Sequence, residues 1–162
     1  MKTKLLTATT TILFTMLPTV HAAEYEQIVG GPVQAHTQKN GDNVYTIFKF
    51  SLSGGITKSN STNKTFAAGI TSTSECVGYS KTEKGISSVE SHCHTIDSDG
   101  TTLYGRSTRV GAIGQTSDGK QFIEVLTGNS TGMKSECAFV PKYSKTSEGT
   151  YLIVTSKCTT AQ

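Results

Sequence analysis

The residues best suited to chemistry crowd into one short stretch. It holds His92-Cys93-His94, with Glu90 just upstream and Asp97-Ser98-Asp99-Gly100 just downstream. On a β-strand alternate side chains share a face, so Glu90, His92 and His94 point one way and Cys93 points the other. Two imidazoles and a carboxylate on one face form a donor set for Zn²⁺ or Cu²⁺, which makes His92 and His94 the candidate metal ligands. No fourth ligand is evident in the sequence. The competing reading is three solvated side chains on an outer strand face, with imidazoles that respond to pH near neutrality. Asp97-x-Asp99-Gly100 has the opening of a calcium loop, but the twelfth position counted from Asp97 is Thr108, where such a loop needs Glu. Asp and Gly at these positions suit a tight turn instead.

Serines are plentiful, yet no Gly-x-Ser-x-Gly elbow, phosphate-binding loop or dinucleotide fingerprint occurs. No catalytic residue is assigned and no cofactor is expected. Arg106 and Arg109 are three apart and face opposite sides of a regular strand. Arg106 is the candidate to face an interior or rim and hold a carboxylate or phosphate; the alternative leaves both arginines exposed. Asn60, Asn63 and Asn129 each begin an Asn-x-Ser/Thr sequon, a glycosylation signal in a eukaryotic secretory pathway.

The elements that position these residues read as strands joined by turns. Facing residues of a hairpin have a constant index sum. Pairing Cys76 with Cys93 centres a turn on Lys84-Gly85, and pairing Cys137 with Cys158 centres one on Ser147-Glu148, before Gly149. Gly in a two-residue loop supplies the positive φ that such hairpins need. Directly opposed residues on antiparallel strands lie within disulfide reach, so the expected bonds are Cys76–Cys93 and Cys137–Cys158. Val44, Thr46, Phe48, Phe50 and Leu52 alternate along the clearest strand, which Ser53-Gly54-Gly55 should end. Gly30-Gly31-Pro32 should break the chain between strands at Tyr25–Val29 and Val33–Thr37. Phe66, Ala68 and Ile70 alternate in a further expected strand, with Gly69 as a bulge. Later strands are expected at Ile86–Ile96, Leu103–Ile113, Gln121–Thr127, Met133–Val140 and Thr150–Cys158.

No stretch after the amino-terminal segment has helical periodicity with caps. About eight strands, with turn signals roughly every ten residues, predict an all-β chain: a single antiparallel up-and-down β-barrel, with a β-sandwich as the alternative. A meander of hairpins favours the barrel, which also removes exposed edges. Val44, Phe48, Phe50, Leu52, Phe66, Ala68 and Ile70 would then line a ligand cavity or pack a plain core.

One resemblance strengthens the barrel. Cys93 is followed by Asp97-Ser98-Asp99-Gly100 and then Tyr104-Gly105. Leu126-Thr127-Gly128-Asn129-Ser130-Thr131-Gly132 forms a glycine-bounded turn after an apolar strand. This pattern resembles small secreted bacterial proteins similar to the allene oxide cyclase and dirigent barrels, an eight-stranded calycin-like fold. The resemblance covers roughly Cys76 to Tyr151 and rests on turns. It implies a barrel and carries over no catalytic residue.

Met1 to Ala22 reads as a secretory signal peptide. Lys2 and Lys4 precede a short apolar run from Leu5 to Leu17, and Val20-His21-Ala22 offers small residues for cleavage. That run is too short and too rich in threonine to span a bilayer. Its removal leaves 140 of the 162 residues as one domain, 23–162, with 13 basic residues against 12 acidic ones. A near-neutral chain without basic runs argues against a nucleic-acid surface. An even cysteine count favours an oxidising compartment, secreted or periplasmic. The expected function is a non-enzymatic binding protein for a small apolar ligand or a protein partner. The alternatives are a barrel-type cyclase or isomerase acting on a lipid-like substrate, and a surface or adhesion protein.

Overall fold

The computed structural model describes residues 22–112 and 117–160. Eight antiparallel strands, β1 (Ala23–Asn40), β2 (Asn43–Ser59), β3 (Thr71–Glu83), β4 (Ile86–Asp97), β5 (Thr102–Ala112), β6 (Gly119–Val125), β7 (Lys134–Thr146) and β8 (Gly149–Thr160), pair in sequence order. The last returns to the first, so the sheet closes into an up-and-down barrel. The sandwich alternative is thereby excluded. The signal-peptide reading falls almost wholly on residues outside those described, as does Ile113 at the expected end of β5.

The turns fall where the index sums place them. Cys76 faces Cys93 and Cys137 faces Cys158 in the strand registers. Each pair is disulfide-bonded, with Cα atoms 4.1 and 4.0 Å apart. Lys84 and Gly85 both hold positive φ, the two-residue loop geometry that matches the twist of its flanking strands.

Two expected breaks are absent. β1 runs straight through Gly30-Gly31-Pro32, and β2 runs through Ser53-Gly54-Gly55. The glycines serve close approach, not chain reversal. A Cβ on Gly31 would sit 1.7 Å from the Ser51 carbonyl oxygen, and one on Gly54 would sit 2.0 Å from that of Ile28. Pairing between β1 and β2 passes from Gly30–Ser53 to Val33–Phe50 without partners at Gly31 and Pro32, where proline has no N–H to give. A register shift between Glu26 and Gln27 adds a bulge. Glycines and bulges of this kind let long strands bend around a small barrel.

The expected strand through Phe66, Ala68 and Ile70 is also corrected. Lys64–Phe66 is a single 3₁₀ turn, Gly69 has φ +91°, and β3 starts only at Thr71. Asn63 caps the turn, its Oδ1 accepting from the Thr65 N–H at 2.9 Å and from the Ser130 hydroxyl at 3.0 Å. The cap folds the segment inward and drives Phe66 into the end of the barrel, where it stacks on Tyr25 with ring centroids 5.2 Å apart.

The barrel therefore has two unlike ends. At one, Phe66 and the segment around Ser130 cover the lumen. At the other, the β1–β2 and β7–β8 hairpins project so far that residues 34–42 and 142–149 are exposed on both faces. Two apolar clusters fill the interior. One holds Tyr25, Ile56, Phe66, Leu103, Ile123 and Val125 with the Cys137–Cys158 bond. The other holds Phe50, Leu52 and Leu152 with the Cys76–Cys93 bond.

Candidate functional site

The strand pleat sends Cys93 inward and Glu90, His92 and His94 outward, as alternation requires. On the outer wall these residues join a polar network. His92 Nδ1 lies 2.6 Å from the Tyr104 hydroxyl, and His92 Nε2 lies 3.3 Å from Glu90 Oε1. Glu90 Oε1 also accepts from Arg106 Nε at 2.9 Å, and its Oε2 accepts from the Tyr79 hydroxyl at 3.1 Å. The Arg106 hydrogen bond, then the Tyr79 one, hold the Glu90 carboxyl below its ordinary range. The same contact pushes the Tyr79 hydroxyl up. Both ring nitrogens of His92 thus have neighbours, while His94 faces Tyr104 and Glu75 in the register. Among the described residues, no three His, Cys, Asp or Glu side chains gather around one point where a metal ion would sit.

Arg106 is corrected as a lining residue. It stands on the outer face of β5, paired with Glu90. Arg109, three positions on, is the arginine that faces the lumen. Its Nε donates to the Ser117 carbonyl and hydroxyl at 2.9 and 3.0 Å. Asp97-Ser98-Asp99-Gly100 is a turn: the Gly100 N–H donates to the Asp97 carbonyl, and the Thr101 N–H donates to Asp99 Oδ1, each at 2.9 Å.

The lumen contains two adjoining chambers. The first, about 70 Å³, lies toward the projecting hairpins. Phe48, Phe50, Leu52, Phe139, Leu152 and Val154 give it a largely apolar wall, with Arg109 and Tyr143 among the lining residues. The second, about 60 Å³, lies toward the covered end and is lined by Tyr25, Phe66 and Ile70 together with Ser72, Ser74, Thr95 and Asp97. Gln27, Leu52, Cys93 and Gln121 border both, and Gln27 Nε2 donates to Gln121 Oε1 at 3.4 Å across the boundary.

The aromatic strand of β2 thus supplies Phe48, Phe50 and Leu52 to the lumen as its alternation predicts. Phe66 and Ile70 also reach it, from the 3₁₀ turn and from the residues that follow it, not from a strand. Val44 shares the inward face of β2 but lines neither chamber, because it lies out toward the projecting hairpin. Ala68 is exposed, since the 3₁₀ segment does not continue the pleat.

Sequence reasoning missed Asp97 as a lumen residue. It is only 8% exposed, and burial, reinforced by Asp99, pushes its carboxyl up to about 7. Tyr25 beside it is pushed up to about 12 by burial, although Ser135 next to its hydroxyl acts the other way. The signal was present: Asp97 has the same parity on β4 as Cys93, whose disulfide already marks the inner face. Compared with known family models and with curated proteins, the chain matches none.

Proposed function

We propose that this chain is a secreted or periplasmic binding protein, without enzymatic activity, that holds a small apolar ligand in the hairpin-end chamber of its lumen. One observation carries the reading: a partly open pocket in the lumen with Phe, Leu, Val and Pro making up just over half of its lining residues, framed by projecting hairpins. Such a wall releases ordered water when an apolar group replaces it. Its size, about 70 Å³, fits the smallest ligands, or one that protrudes between the hairpins. A lipid-like substrate needs a pocket of roughly 300 Å³ or more, so a cyclase or isomerase acting on one has less support. The two disulfides favour an oxidising compartment, and no helix among the described residues is long and apolar enough to cross a membrane. The likeness to allene oxide cyclase and dirigent barrels is proposed for the fold alone.

Benzene tests this reading. In NMR titrations it should perturb Phe48, Leu152 and Val154, and Val154→Phe, whose added ring fills the chamber, should abolish the effect. No perturbation, or equal perturbation in the variant, would sink it.

A second reading, a surface or adhesion role through a protein partner, has its own support. Ile47 and Tyr79 face each other on β2 and β3 with Val77 diagonal to them, at 69%, 52% and 57% exposure. The Glu90–His92–Arg106 network borders them, an apolar centre with a polar rim as interfaces have. A second protein that broadens these residues' NMR signals while leaving the lumen's unchanged would favour it.

A further inference from the structure

Asp97 places a carboxyl group in the lumen without a partner on the protein. It is more than nine-tenths buried and lines the 60 Å³ chamber. Its backbone closes the β4–β5 turn, and no hydrogen bond or ion pair from a described residue reaches its side-chain oxygens, which are not sealed from the space of the chamber. Around the chamber β1 contributes Tyr25 and Gln27, β3 contributes Ser72 and Ser74, and β6 contributes Gln121. No Lys, Arg or His is among its lining residues, and Asp99 in the same turn adds like charge. A carboxylate set this deep and without a protein donor is costly unless it takes up a proton, holds water in the chamber or gains a cation beside it.

We propose that this chamber is a binding site for a small protonated primary amine, its ammonium group against the Asp97 carboxylate. An ammonium carries three donors. Asp97 takes one of them and supplies the opposite charge. The carbonyl oxygens of Gln27 and Gln121 and the hydroxyls of Ser72 and Ser74 are acceptors on the same wall for the others. The short alkyl part rests against Leu52, Ile56 and Phe66. At roughly 30 Å³ per water, the chamber has room for about two waters, which sets the ligand at the scale of ethylamine. The inference rests on the lumen being a binding site and names a second ligand class for it.

Proton and amine compete for the same oxygen atoms. The folded carboxyl is raised toward about 7, so the proton stabilises the fold at low pH, and that stabilisation is lost as pH rises through about 7. Ethylammonium should therefore bind above this range and fail below it.

The test is thermal melting of the full chain with ethylammonium chloride, against sodium chloride at equal ionic strength and against neutral ethanol. At about 100 times its dissociation constant the amine should raise the melting temperature by roughly 5 °C or more near pH 8 and leave it unchanged near pH 5. Asp97→Asn, nearly isosteric and uncharged, should lose the amine effect and should also melt higher than the parent near pH 8 without any ligand. A rise equal to that with sodium chloride, or one retained by Asp97→Asn, overturns the proposal and leaves the chamber to water. Benzene binding near Val154 would persist in that outcome, so failure here is distinct from failure of the apolar site.

Discussion

The two halves of the lumen share the same eight strands and the same in-out alternation, yet they are filled differently. Toward the projecting hairpins, aromatic rings occupy space that glycine vacates. Phe48 lies opposite Gly78 and Phe139 opposite Gly119 in the strand registers. A Cβ on Gly78 would meet the Phe48 ring at 2.5 Å, and one on Gly119 would meet the Phe139 ring at 2.1 Å. Toward the covered end, the inward positions of β3 and β4 are Ser72, Ser74, Thr95 and Asp97, too small to meet across the barrel. There the space is closed from the end by Phe66 on its 3₁₀ segment. The comparison teaches that the pleat fixes which side chains face in, whereas their volumes decide what kind of chamber results. An eight-stranded barrel is just wide enough for its own side chains to fill, so each small inward residue leaves room.

The largest test of this contrast is Phe66→Ala. The ring is 2% exposed, stacked on Tyr25 and packed among Ile56, Leu103 and Ile123. Loss of a buried Phe costs about 3–5 kcal/mol, because little around it can collapse into the gap. Chemical denaturation should show that loss. Hydrogen exchange should rise first in β5–β6 and around Ser130, and last around Leu152. Uniform acceleration of exchange would mean that the two halves are not separately packed.

The disulfides come next. Loops of 17 and 21 residues' separation give about 3 kcal/mol each on the chain-entropy account. Their stability effects should be alike, but their effects on the lumen should differ. Cys93 borders both chambers, whereas neither Cys137 nor Cys158 lines either one. The double variant Cys76→Ala with Cys93→Ala should lower stability and also alter benzene binding. Cys137→Ala with Cys158→Ala should lower stability alone. Equal effects on binding would show that the staples act only through the unfolded chain.

Much of the architecture was legible before the structure, and the reasons are local. The Cys76/Cys93 and Cys137/Cys158 index sums worked because a hairpin's register is set by its own turn, and Lys84-Gly85 encodes that turn in two residues. The β2 face was legible because period-two alternation is a property of the strand alone. Gly30-Gly31-Pro32 and Ser53-Gly54-Gly55 misled because glycine serves turns and close approaches equally. Only the neighbouring strand, at 1.7 Å from an imagined Cβ on Gly31, decides between them. Phe66 alternated with Ala68 and Ile70 by coincidence, and the capping oxygen of Asn63 outweighed the pattern. Asp97 satisfies the turn chemistry of its own segment, and only its parity with Cys93 along β4 places it in the lumen. Arg106 and Arg109 were separated correctly by parity, but the face belonging to each follows from Cys93, one strand away.

The smallest of these effects sharpens the glycine half of the comparison. Gly78 has the Glu90 carbonyl oxygen 2.4 Å from its imagined Cβ as well as the Phe48 ring. For Gly119 the three nearest atoms all belong to the Phe139 ring. A ring at the end of a side chain can turn aside, whereas a carbonyl held in a strand ladder moves only with its neighbours. Overpacking generally costs about 1–3 kcal/mol. Gly78→Ala should fall near the top of that range and Gly119→Ala near or below its foot, by urea denaturation of both. Because Phe48 must also shift in the first variant, benzene affinity should fall with stability there. In the second, a displaced Phe139 ring should narrow the same chamber with little loss of stability. If Gly119→Ala proves the more damaging, the rings are held more firmly than the strands, and the apolar chamber is a packed core, not a site.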